Sequence, residues 1–364
     1  MRMSEVRKKI GILTLHKALN YGAVWQCWAL KRACELQGYF VETINYNPHG
    51  HQSLLDIIKH QPIVAYRYLT RIYQFGRFVS RYLNPSCYTE SHEWIKANPP
   101  QDDVYIVGSD QVWSNELVGE LLDSYLLDWA PKEIRRIAYA VSTGGGPLEV
   151  NTIQLAELRK FSSISVREKQ SVESVQDKVS IPVADVCDPT LLLTQKDYIT
   201  LEKKPIRLPK HYIAYFDLAG DTFSTQSALM LRDHLSLPIV NMASKYRRWA
   251  NSNYVSPTPE QWLYIMHHAD YICTNSFHGV AFSIIFRRPF VYCAPQIGTR
   301  SKVNTRVLNL LEHVHMNSTY ATDITHVEQV IKSKVNYNDE AIEKYRIRSL
   351  GWLKQALEDE ANKE

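Results

Sequence analysis

Residues 270–286 read DYICTNSFHGVAFSIIF, and this stretch decides the fold. Asp270 to Cys273 has the character of a short buried strand, and Thr274-Asn275-Ser276 supplies hydroxyl and amide groups suited to cap a following helix. Val280 to Phe286 is apolar enough to be that helix, packed on a sheet. His278 sits at the turn, and Gly279 would let the backbone approach a ligand closely. An imidazole at a helix N-terminus suits an anion that must also gain or lose a proton. The alternative is a histidine that caps the helix or fills a core gap; the capping residues and glycine beside it bring the two readings into balance.

Outward from this stretch the same rhythm recurs. Lys9 to Thr14 (KIGILT) reads as a buried strand, Val24 to Gln37 as a helix closed by Gly38, and Phe40 to Asn45 as the next strand. In such a βαβ unit the first loop lies at the carboxyl end of a parallel sheet, which makes Asn20, Tyr21 and Gly22 candidate ligand contacts. The glycine spacing is not GxGxxG, which argues against a dinucleotide. Strand Asp103 to Val107 runs into Gly108-Ser109-Asp110-Gln111-Val112-Trp113, a second candidate ligand loop. Ile164 to Lys169 repeats the pattern, and the Arg167 fork could hold a carboxylate or phosphate, or else pair with Glu168 or Asp185. In the second half, strands at 212–217, 239–242 and 290–293 alternate with helices at 222–235 and 259–269. The cluster Ser244 to Trp249 is cationic and aromatic, suited to a sugar or an anion. Lys302, Asn304, Thr305 and Arg306 open a helix, as an anion site would.

The expected fold is α/β, two Rossmann-like domains facing a cleft. Residues 1–187 form the first and 188–335 the second, with a hinge at Asp188-Pro189 and a charged C-terminal helix within 336–364 packing back on the body. At 364 residues the chain is too long for one ordinary core. A net charge of +4 suits an anionic small substrate or surface and is too weak to argue for nucleic acid. The six cysteines form no CxxC and no zinc spacing, so they read as reduced thiols of a cytoplasmic protein. The histidines are scattered, with only His267-His268 adjacent, and predict no metal cluster. Met1 to Lys9 is polar and predicts no signal peptide, and no apolar run is long enough to span a membrane. Residues 54–83 interleave arginine with tyrosine and phenylalanine, as a surface helix pair or a face for an anionic membrane would.

Six motifs in order carry a resemblance: LHKALNYGAVWQCWAL at 15–30, VGSDQVWS at 107–114, SVREK at 165–169, DPTLLL at 188–193, TNSFHGVAFSI at 274–284 and NTRV at 304–307. Together they resemble the polysaccharide pyruvyl transferase family. The resemblance implies a GT-B-like arrangement and phosphoenolpyruvate as donor, with no metal or cofactor. The acceptor would be a sugar of a surface polysaccharide or its lipid-linked precursor, and the product a pyruvate ketal. It implies His278 as general acid and Arg167 as a donor-binding arginine; the chemistry itself also asks for a base on the acceptor hydroxyl, for which Asp110 is the weaker candidate. Donor contacts are expected from Lys169, Asn275, Ser276, Gly279, Arg300, Lys302, Asn304 and Arg306. Acceptor contacts are expected from Asn20, Tyr21, Gly22, Ser109, Gln111 and Trp113. Many members carry arginine where this chain has Ser276, so anchoring would shift to the other cations. The expected place is the cytoplasm or the inner face of the membrane. The alternatives are a GT-B glycosyltransferase using a nucleotide sugar and a non-catalytic module of a polysaccharide assembly complex.

Overall fold

A computed structural model of the protein describes residues 7–46, 62–86, 91–218, 220–243, 245–295 and 301–359. The chain divides into two compact units, Met1–Leu192 with Arg346–Glu364, and Leu193–Tyr345. The boundary thus falls at 192/193, four residues past the anticipated hinge, because Asp188 and Thr190 belong to the polar interior of the first unit.

The first unit is built on a six-stranded sheet in the order β2-β1-β3-β4-β5-β6. Its strands are β1 (Lys9–Leu13), β2 (Phe40–Thr43), β3 (Val104–Val107), β4 (Arg135–Val141), β5 (Ser163–Val166) and β6 (Val183–Asp185). Every pairing is parallel. Helices cover both faces of such a sheet, so its central strands read as unbroken apolar runs; Val104-Tyr105-Ile106-Val107 is buried at all four positions. The chain leaves β1 in one direction towards β2 and returns on its other side at β3, so the β1/β3 ends are the topological switch point where ligands of open α/β sheets bind. The helix Tyr21–Leu36 begins three residues before the expected start, because Asn20 caps it by accepting from the Gly22 N–H at 2.9 Å.

The second unit carries its own six-stranded sheet, β12-β11-β10-β7-β8-β9. Its strands are β7 (Ile213–Phe216), β8 (Ile239–Asn241), β9 (Ser252–Asn253), β10 (Tyr271–Thr274), β11 (Phe290–Cys293) and β12 (Tyr320–Ala321). These pairings are parallel as well. Counted from β7, this is the dinucleotide-fold order 3-2-1-4-5-6, with its switch point between β7 and β10. The opening stretch forms β10 and the helix Phe277–Phe286, whose residues are all buried.

The helix Asp339–Glu358 serves both units. In the second, Asp339 pairs with Arg287 at 2.7 Å and Tyr345 stacks on His313. In the first, Ser349 accepts from the Cys187 N–H at 2.9 Å, Trp352 packs on Tyr139, and Arg135 donates to the carbonyls of Ala356 and Asp359. Within the expected helical segment, residues 54–61 lie outside the described residues, and Pro62–Tyr82 is one helix. Its Phe75 and Phe78 pack on Tyr21 and Trp25, while Tyr66, Arg67, Tyr73, Arg77 and Arg81 face solvent. Among the described residues no helix is long and apolar enough to cross a membrane.

Candidate active site

In the second unit, the loops leaving β7 and β10 are latched together at the switch point. Asp217 follows β7, is buried, and accepts from Asn275 Nδ2 at 2.5 Å and from the Gly220 N–H at 2.8 Å. Asn275 follows β10 and accepts from the Leu218 N–H at 2.8 Å, so both ends of its amide are engaged across the two loops. The other oxygen of Asp217 takes Arg247 Nη2 at 3.2 Å. Arg247 is carried by the loop after β8, which Asn253 pins through the Arg247 N–H and C=O at 2.8 and 3.0 Å. His278 is the second residue of the helix that starts here and is 8% exposed. Arg247, tied through Asp217 to Asn275, thus stands at the same sheet end as the helix that His278 enters. A helix dipole, a group able to carry a proton and a guanidinium that is partly exposed beyond its single carboxylate partner Asp217 suit a small anion undergoing acid–base chemistry.

Several residues expected to touch the donor also have places in the scaffold. Ser276 is the N-cap of the His278 helix, accepting from the Gly279 N–H at 3.4 Å, a task that an arginine there could not perform. Gly279 makes its close approach to the strand: an added Cβ would fall 2.3 Å from Thr274 Oγ1. Asn304 accepts from Tyr292 OH at 2.9 Å and donates to Pro295 O at 3.2 Å. Arg306 is buried in the same helix. Arg300 lies outside the described residues, as does the Lys302 side chain. Arg247 belongs to the cationic-aromatic cluster visible in the sequence, whereas Asp217 stands there as the end of a strand. A carboxylate directly after a buried strand was the available signal.

In the first unit, Arg167 follows β5, is 2% exposed and lies among carboxylates: Asp188 Oδ2 at 2.8 Å, Glu168 Oε1 at 3.3 Å and Asp110 Oδ1 at 3.9 Å. Burial opposes its charge, yet Glu168, Asp188 and Asp110 outweigh that and hold the guanidinium above its ordinary range. Of the partners weighed from sequence, Glu168 is found, while Asp185 instead lies near Arg348. Ser109 donates to Asp188 at 3.2 Å and is fully buried. A trianionic donor placed on Arg167 would meet these carboxylates, so the geometry gives Arg167 a structural task. Lys169 is exposed at the start of the following helix. Asp110 itself, partly exposed, adopts a left-handed φ of 81° and bridges to Val141, the residue after Ala140, whose φ is 50° at the β4 irregularity. Such unfavourable backbone persists only where the surroundings impose it.

Two residues expected on the acceptor side are core. Trp113 is fully buried, donates from Nε1 to Tyr125 O at 3.1 Å and stands edge-on to Phe161. Tyr21 is buried against Phe75. Gly22 is buried in the helix start and Asn20 caps it, whereas Gln111 remains partly exposed beside Gly144. His16, which the sequence did not single out, is buried after β1 with Nδ1 3.1 Å from Thr14 O, and burial pushes its pKa down to about 4.

Compared with known proteins, residues 20–296 match the family described as polysaccharide pyruvyl transferase. No curated protein matches the chain. Among solved structures, the UDP-GlcNAc 2-epimerase of Methanocaldococcus jannaschii, in complex with UDP-GlcNAc and UDP, is 12% identical with a TM-score of 0.50; the match covers 94% of this chain and 99% of that one. UGT89C1 of Arabidopsis thaliana, complexed with UDP-L-rhamnose, is 11% identical with a TM-score of 0.49, covering 96% and 98%. At this identity the epimerase speaks to the fold alone, and with the two parallel sheets it makes this a GT-B-like α/β protein. The match over most of its length places the chain in the polysaccharide pyruvyl transferase family.

Proposed function

We propose that the protein transfers pyruvate from phosphoenolpyruvate to two hydroxyls of a sugar in a surface polysaccharide or its lipid-linked precursor. Family membership and the His278–Arg247 cluster at the β7/β10 switch point support this reading; the cluster is the observation that carries it. Arg247 and the helix dipole bind the donor anion, with Arg306 as a further cation. His278 gives a proton to the methylene carbon, leaving positive charge on the neighbouring carbon, which one sugar hydroxyl attacks. The C–O bond to phosphate breaks and the second hydroxyl closes the ketal. The two hydroxyl protons replace the one that His278 gave and protonate the departing phosphate. Asp110 is the candidate base for the acceptor. The exposed basic and aromatic face of Pro62–Tyr82 suits an anionic membrane bearing a lipid-linked acceptor.

The test incubates the protein with phosphoenolpyruvate and a panel of oligosaccharides, following phosphate release and the new ketal methyl by proton NMR. His278→Ala is expected to keep the fold and lose about a hundredfold or more in turnover. A variant with near-wild-type turnover would remove His278 from the chemistry.

A further inference from the structure

Away from this cluster, the second unit brings together three groups that the sequence left apart. Glu202, His267 and His268 each offer one ligand-type atom, and these atoms lie within 4.8 Å of one another. Glu202 Oε1 lies 2.5 Å from His267 Nδ1, and Oε2 lies 3.2 Å from His268 Nε2. The sequence shows only the adjacent histidines; the fold supplies the carboxylate, 65 residues away.

We infer that Glu202, His267 and His268 form a three-ligand site for a divalent transition cation of the zinc class. Imidazole nitrogen and carboxylate oxygen are the donors such ions take, and three protein ligands leave a fourth position open. Metal–ligand bonds of about 2.0–2.2 Å in a tetrahedron separate donor atoms by roughly 3.3–3.5 Å. Glu202 Oε2 and His268 Nε2 already stand near that spacing, while Glu202 Oε1 and His267 Nδ1 would part by about 1 Å as the ion enters between the carboxylate and the rings. Both rings are oriented by neighbours: His267 stacks on Phe286 and His268 on Tyr264. The outer nitrogen of His267 meets the Gln195 side-chain amide at 2.7 Å. With Nδ1 on the metal, Nε2 carries the proton, and the amide turned about its axis accepts it through Oε1, the support that metal-bound histidines require. The two histidines end the helix Pro259–His268, where the dipole favours a cation, and one carboxylate with two neutral imidazoles leaves the ion's charge half compensated.

Tag-free, chelator-treated full-length protein is titrated calorimetrically with zinc chloride and examined by visible absorption after loading with cobalt(II). The expected result is one equivalent bound with a micromolar or lower Kd. Glu202→Gln and His268→Ala should each weaken binding at least tenfold and remove the four-coordinate cobalt spectrum. His268 is well exposed, so its variant should keep the wild-type unfolding midpoint. No zinc uptake by the wild type, or an unchanged titration when Glu202→Gln and His268→Ala are combined, would overturn the site and leave a carboxylate hydrogen-bonded to two imidazoles.

Discussion

Gly279→Ala tests how the sheet fixes the residue that the chemistry depends on. The added Cβ would meet Thr274 Oγ1 at 2.3 Å, Cγ2 at 2.9 Å and Cβ at 3.0 Å. Thr274 cannot turn aside freely, since Oγ1 donates to Phe216 O at 2.7 Å and accepts from the Ser276 N–H at 3.1 Å. The start of the helix must therefore move away from β10, carrying His278 with it. Overpacking of this kind costs about 1–3 kcal/mol, which the better helix propensity of alanine offsets by no more than about 1 kcal/mol. A displacement near 1 Å is enough to lower turnover by about a hundredfold. Thr274→Ala removes two of the three clashing atoms and, alone, costs about 1–3 kcal/mol through its lost hydrogen bonds. In the double variant the penalties should overlap, giving a coupling of about 1–2 kcal/mol in a mutant cycle. Urea unfolding of the four proteins, read beside donor turnover, measures both effects. Additive costs, or a Gly279→Ala protein as stable and active as wild type, would refute the reasoning.

Further expectations separate scaffold from chemistry. Arg167→Ala strands the buried carboxylates of Asp188 and Glu168 and should lower the denaturant-derived stability by about 3–5 kcal/mol; a stable variant that lost only donor affinity would restore Arg167 as a donor fork. His16 is neutral when folded because its pKa falls from 6.5 to about 4, so the unfolded chain binds the extra proton between those values. Its share of stability is complete above pH 6.5 and about 3 kcal/mol is lost as pH falls towards 4. His16→Gln should flatten that part of the stability–pH curve, and an unchanged curve would contradict the assignment. Flotation with anionic vesicles should fall when Arg67, Arg77 and Arg81 are replaced by glutamine; identical flotation, or none, would remove the membrane role from that face.

The fold was largely legible because parallel strands buried on both faces leave unbroken apolar runs such as Tyr212 to Phe216 and Phe290 to Cys293, and Gly or Asn marks the turns between. Which strands are neighbours was not legible, and that decides which loops meet. The pairing of β7 with β10 turns Asp217 and Asn275, 58 residues apart, into one latch. The polar types around His278 were read correctly as capping material, yet their partners were invisible. Ser276 faces a backbone N–H and Gly279 faces Thr274, contacts that no sequence pattern reveals. Arg167 illustrates the same limit, since Glu168 is its sequence neighbour but Asp188 and Asp110 reach it only through the order of β3, β4, β5 and β6.

The most direct test of the central claim is a thermal-unfolding titration with phosphoenolpyruvate, beside UDP, on wild type and Arg247→Ala. Ligand at about 100 times its Kd stabilises the native state by roughly 2.7 kcal/mol, a readily measured rise in midpoint. That rise is expected with phosphoenolpyruvate in the wild type, with its loss in Arg247→Ala and no response to UDP. A response to UDP alone, or an undiminished phosphoenolpyruvate shift in Arg247→Ala, would contradict it.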